Sequence, residues 1–149
     1  MPTLFEGDHI IDDLAAMSGR NGDDDAALLL AFLEELGNRE DALWQLVHHQ
    51  AERTYPSPTF NSKMIEWMLA DGFNIGRIRP MPALRNYRIL YGYDNEYDDV
   101  YSFAVVEKAP QGLPAPDYVR YYNYERDHPV GGRVIDEYDD RRIPRVHGG

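Results

Sequence analysis

Two apolar runs flank a short polar tip in "NYRILYGYDNEYDDVYSFAVVEK", residues 86–108, and few folds accommodate such a stretch. Before the tip, Tyr87, Ile89, Tyr91 and Tyr93 alternate with Arg88 and Leu90, which is the period of a strand; beyond it, "DVYSFAVVEK" is rich in β-branched and aromatic residues. The two runs bury an apolar side together only if "NEYD" reverses the chain. An antiparallel hairpin is therefore expected, with Tyr93 and Val100 close to its turn. The preceding run "FNIGRIRP" (73–80) has the same character and supplies a further strand of a meander.

Upstream of Phe73 the apolar period is helical. "DDDAALLLAFLEELG" (23–37) opens on aspartates, which suit a helix N-terminus, and closes on Gly37, the expected C-cap. "NREDALWQLVHHQAER" (38–53) follows with Asn38 as expected N-cap and Ala42, Leu43, Leu46 and Val47 on one face, so the two form a helical hairpin. After the breaker "YPSP", "SKMIEWMLADG" (62–72) is read as a short third helix burying Met64, Ile65, Met68 and Leu69 and ending at Gly72. The loop "APQGLPAPD" (109–117) holds three prolines and is expected to be irregular; "DHPVGGRVIDEYDD" (127–140) reads as a final helix with Asp127 near its cap. Helices, then sequential antiparallel strands, then a helix make an α+β domain: a helical hairpin and short helix on one face of a three- to four-stranded sheet, the other face open. Residues 1–22 are expected as a loosely packed extension, 23–140 as the single domain and 141–149 as a tail.

No run approaches the length of a membrane span, and the acidic start "MPTLFEGDHIIDD" is unlike a signal peptide, so a cytoplasmic protein without membrane contact is expected. Absence of cysteine excludes disulfides and thiolate metal sites. The net charge of −11 opposes non-specific nucleic-acid binding, yet it is unevenly spread. Residues 1–73 hold 4 basic and 14 acidic side chains, whereas residues 74–149 hold 11 and 12, which leaves room for a local cationic surface in the second half.

"LLAFLEEL", "IGRIRPMPALRNYRILYGYD" and "DVYSFAVVEK", spanning residues 26–110, together resemble the RelE/ParE toxin superfamily, in particular its HigB-like, phage-derived branch. There a helical pair precedes a strand ending in an "IR" or "LR" element, a strand reading "YRILY", and a strand ending in lysine. The resemblance implies a toxin of a toxin–antitoxin pair that enters the ribosome and cuts messenger RNA without cofactor or metal, with a cognate antitoxin as partner. It carries Arg79, Arg88 and Lys108 over as catalytic positions and Arg77 as a weaker match beside Arg79; Tyr87 joins the catalytic candidates as a nearby group able to move a proton, and Arg77 and Arg85 are the substrate-binding candidates. RNA cleavage of this kind needs a 2′-hydroxyl activated toward phosphorus, the phosphorane charge stabilised and the 5′-oxygen protonated. Arginine suits the second task, whereas lysine, histidine or tyrosine carries the proton.

The chain departs from the HigB-like pattern at Phe103 and Glu107, where relatives carry histidine and lysine. That keeps two further readings open: a catalytically degenerate protein-binding module or phage inhibitor, and a ParE-like gyrase inhibitor. Ordinary structural roles also stand beside the functional ones. Arg79 and Arg88 could pair with Asp94, Glu107 or Asp117, and the tyrosines could simply pack the sheet. A calcium loop through Asp94, Glu96 and Asp98 fails, because Asp99 stands where the turn needs glycine and Val105 where it needs glutamate. His128, beside Pro129, reads as a turn residue rather than a base.

Overall fold

The computed structural model describes residues 2–48, 51–109 and 120–146. The elements run β1 (Thr3–Glu6), α1 (Ile10–Asn21), α2 (Asp23–Gly37), α3 (Glu40–His48), β2 (Arg53–Pro56), β3 (Thr59–Met64), α4 (Glu66–Ala70), β4 (Ile75–Pro80), β5 (Tyr87–Asp94), β6 (Asp99–Glu107) and α5 (Pro129–Asp140). The fold is mixed α and β, as expected, and residues 86–108 form the β5–β6 hairpin with Tyr93 opposite Val100. Except for Ala109, the proline-rich loop expected at 109–117 lies outside the described residues, as does Asp117.

The sheet is larger than expected. It has six strands in the order β1-β6-β5-β4-β3-β2, antiparallel throughout except that β1 runs parallel to β6. β3 replaces the first half of the helix expected at 62–72. Met64, Ile65, Met68 and Leu69 do have helical spacing, but they serve different elements. Met64 ends β3 and packs on the α2–α3 side, while Ile65 and Met68 pack on the opposite side of the sheet. Pairing with β2 and β4 on both edges satisfies the backbone of residues 59–64 as strand, and that overrides the local pattern. "YPSP" is accordingly the β2–β3 turn.

The expectation of one covered face is also corrected. α1, α2 and α3 bury Leu14, Met17, Leu29, Phe32, Leu36, Leu43 and Leu46 against Phe60, Ile78, Ile89, Tyr91 and Val105 on the first face. On the second face α4 and α5 bury Met68, Val134 and Tyr138 against Ile75, Leu90, Phe103, Ala104 and Val106. A bulge between Leu90 and Tyr91 makes this second core: Leu90 pairs with Ala104 but Tyr91 with Ser102, leaving Phe103 as the extra residue.

Both ends pack more closely than the sequence suggests. β1 edges the sheet, Ile10 and Met17 of α1 are fully buried, and the Asp13 carboxylate accepts from the Val105 backbone N–H at 2.9 Å, covering β6 where β1 stops. At the other end Ile143 is buried, and the Val146 N–H donates to Gly72 O at 2.7 Å. Gly72 has φ +96, and a Cβ there would sit 2.8 Å from Val146 O, so glycine is required. Helix caps differ in detail: Gly37 is the last helical residue of α2 and Asn38 its C-cap, while the N-cap of α5 is His128, whose Nδ1 accepts from Val130 N.

Candidate functional site

Strand alternation decides which charged side chains meet. Ile78 turns toward the first-face helices, which sends Arg77 and Arg79 of β4 to the second face; Arg88 of β5 shares that face with Leu90. Lys108 lies two residues beyond Val106, the register partner of Arg88, and its N–H donates to Asn86 O at 2.9 Å, so the hairpin pairing continues to it. Lys63 of β3 pairs in register with Arg77. These cations line one cleft of about 780 Å³, closed by Met64, Ile65, Glu66, Trp67 and Ala70 along the α4 side, by Tyr124, and by Glu52.

The cations differ in how they are held. Arg77 donates to Asn61 O at 3.0 Å and Asn61 Oδ1 at 2.5 Å, and its second nitrogen meets Glu52 at 2.9 Å. Arg88 is buried and donates to two carbonyls, Arg85 O at 2.6 Å and Tyr87 O at 2.8 Å. The Arg79 side chain makes no hydrogen bond or ion pair with the described residues, and its Nε is buried without a partner among them. Neither Arg79 nor Arg88 forms the ion pairs with Asp94 or Glu107 that the sequence allowed. Carbonyl dipoles orient a guanidinium without neutralising it, so positive charge accumulates on the cleft floor.

That accumulation is felt by the titratable groups. Burial, followed by the nearby Arg88, Arg77 and Arg79, pulls the Lys108 ammonium below the ordinary lysine range. Burial also lowers Arg88, with Tyr124 acting against it and Arg77 and Arg79 reinforcing it. Burial raises the Tyr124 phenol despite the opposing field of the arginines. A lysine with a depressed pKa beside fixed cations is suited to moving a proton, and the arginines to holding an anion.

Of the residues singled out from sequence, Arg77, Arg79, Arg88 and Lys108 therefore share the cleft, and the other two do not. Tyr87 faces the helices, where its hydroxyl donates to Asp25 Oδ2 at 2.6 Å and accepts from Asn21 Nδ2 at 3.0 Å. Burial and Asp25 push its pKa up to about 12. Arg85 lies exposed in the β4–β5 loop and contributes its carbonyl to Arg88. The two departures from the HigB-like pattern have structural roles. Phe103 is fully buried in the second core, and Glu107 accepts from Asn21 at 2.9 Å and from Arg20 and Arg120 at 3.3 Å each.

Lys63, Trp67 and Tyr124 were not legible as site residues. Lys63 would have been, had residues 59–64 been read as a strand beside "IGRIRP". Trp67 Nε1 donates to Tyr124 O at 2.8 Å, and Arg126 lies 4.8 Å over the Trp67 ring while binding Asp71 at 2.6 Å, which latches the cleft wall to α4. Tyr124 adopts φ +63, a conformation uncommon for an aromatic residue, and nothing local in "YYNYE" announces it. Among the described residues no group of three or more His, Cys, Asp or Glu side chains is placed to hold a metal. In comparisons with protein-family models, curated proteins and solved structures, the chain matches none.

Proposed function

We propose that this cleft binds a backbone phosphate of RNA and that the protein is the toxin of a toxin–antitoxin pair, cutting messenger RNA on the ribosome. The observation that carries the reading is the convergence of Arg77, Arg79, Arg88 and Lys108 on one cleft in a chain of net charge −11, with Arg79 and Arg88 unpaired by any described carboxylate. Like charges held together in a buried site oppose folding unless an anion joins them. In the proposed reaction the 2′-oxygen attacks phosphorus and the P–O5′ bond breaks, leaving a 2′,3′-cyclic phosphate and a 5′-hydroxyl. Arg79 and Arg88 hold the non-bridging oxygens as charge builds on the phosphorane. Lys108, with its lowered pKa, relays the proton lost by the 2′-oxygen to the departing 5′-oxygen. A cognate antitoxin would then cover the cleft mouth.

A second reading is favoured by Glu107 and Phe103, which are committed to packing and ion pairing. With Tyr87 also turned away, Lys108 is the cleft's main candidate for proton transfer, and a phosphate- or acidic-peptide-binding module without catalysis fits the same cations. The deciding measurement is messenger-RNA cleavage on translating ribosomes by wild type, Arg88→Ala and Lys108→Ala. Cleavage by wild type, reduced at least about a hundredfold in Arg88→Ala, supports the nuclease. No cleavage alongside retained oligonucleotide binding supports the binding module, and a DNA-damage response without translation arrest supports a gyrase inhibitor.

A further inference from the structure

The two carboxylates lining the cleft, Glu52 and Glu66, are more exposed than the cations they meet. Arg77 keeps 12% of its side-chain exposure, whereas its partner Glu52 keeps 57%. Lys63, 44% exposed, meets Glu66 at 3.6 Å, and Glu66 is 86% exposed. The two acids contribute nothing to the core. Arg77 needs neither for its placement, since Asn61 already fixes the guanidinium at two points. Both acids line the same cleft as Arg79, Arg88 and Lys108, and Glu52 occupies one nitrogen of Arg77 that a phosphate could otherwise take.

Resting on the reading of the cleft as an RNA-phosphate site, we propose that Glu52 and Glu66 are specificity-determining residues that keep the site from taking free polyanions. A phosphate on the floor is attracted by Arg79, Arg88 and Lys108, but the phosphates flanking it along an unrestrained strand meet the rim carboxylates and a surface whose overall charge is strongly negative. The substrate class selected is a single-stranded RNA whose flanking backbone is held away from the mouth by whatever presents it. Random encounter with duplex DNA or loose RNA is disfavoured.

The test measures the affinity of the full chain for a short fluorescein-labelled single-stranded RNA by anisotropy across a salt series. The proteins compared are wild type, Glu52→Gln/Glu66→Gln, a control Asp24→Asn/Glu34→Gln that removes the same charge from exposed positions of α2 on the far side of the sheet, and Arg88→Ala. The rim variant is expected to bind roughly threefold to tenfold more tightly at low salt, the gap closing as salt rises, with a smaller change in the control. Equal affinity of rim variant, control and wild type, with Arg88→Ala still weakened, overturns the rim proposal and leaves the cleft reading standing. Absence of binding by every protein, or binding unaffected by Arg88→Ala, overturns both.

Discussion

Tyr87 and Arg88 are neighbours on β5, Glu107 and Lys108 are neighbours at the end of β6, and alternation sends one of each pair to opposite faces of the same sheet. On the first face Tyr87, Glu107, Asn21, Asp25, Arg20 and Arg120 form a network in which donors meet acceptors and each arginine meets a carboxylate. On the second face Arg88 and Lys108 join Arg77 and Arg79, and the charges repel. The same two strands thus carry a region whose charges are matched and one in which Arg79 and Arg88 meet no described carboxylate. Charged residues contribute to folding where they are paired and constrain it where they are not.

The sharpest way to break this contrast is to remove one charge from each region. Arg88→Ala is expected to lower affinity for the RNA strand roughly tenfold, while thermal stability stays level or rises, because a desolvated and repelled cation has gone. Glu107→Ala is expected to do the reverse. Leaving Arg20 and Arg120 without their shared acceptor should cost about 2 kcal/mol in urea unfolding, moderated because both arginines are partly exposed, with RNA affinity unchanged. If both variants lose stability and binding together, the two faces are not separate regions.

A milder probe is Tyr87→Phe, which removes the hydroxyl shared by Asp25 and Asn21. About 1 kcal/mol of stability should be lost, and cleavage should persist, since the hydroxyl lies outside the cleft. Loss of cleavage in a stably folded Tyr87→Phe protein would return that residue to the proton-transfer role expected from its place in the sequence.

The smallest effect lies in the pH dependence of stability, where the two regions have opposite signs. Tyr87, raised to about 12, keeps its proton in the folded state where the unfolded chain loses it, so its contribution to stability falls as pH rises from about 10 to about 12. Lys108 is lowered, so between its folded pKa and the ordinary lysine value of 10.5 the unfolded chain binds more protons. Its contribution therefore rises with pH across that window. Comparing wild type with Tyr87→Phe and with Lys108→Met in alkaline unfolding should yield difference slopes of opposite sign. Added phosphate should flatten only the lysine difference.

The resemblance named arginines that the structure brings together, whereas Tyr87, taken from the sequence as a nearby proton-transfer candidate, lies on the opposite face of the sheet from the cleft. Alternation in "YRILY" already sets Tyr87 and Arg88 on opposite sides; what the alternation does not say is which side is covered by which helix. The second face looked open because "DHPVGGRVIDEYDD" gives a helix without saying where it docks, and its docking is decided by the bulge that turns Phe103 and Ala104 to the same side. β1 and β2 were missed for another reason. Four-residue strands have little periodicity, and their stability comes from the strand beside them.

The β5–β6 hairpin, the helices α2 and α3 and the final helix α5 are all legible along the chain, because each follows from contacts between residues close in the chain and from an apolar period long enough to be unambiguous. Its uneven charge also left room for a cationic surface in the second half. Only the tertiary structure decided that Lys63 and Tyr124, 61 residues apart, share a cleft with Arg79 and Arg88, that Glu107 lies with Arg20 rather than beside Lys108's neighbours, and that Glu52 and Glu66 stand at the mouth. Those placements depend on strand order and register across the sheet, where the pairing energy comes from residues far apart in sequence and no local pattern encodes the partner.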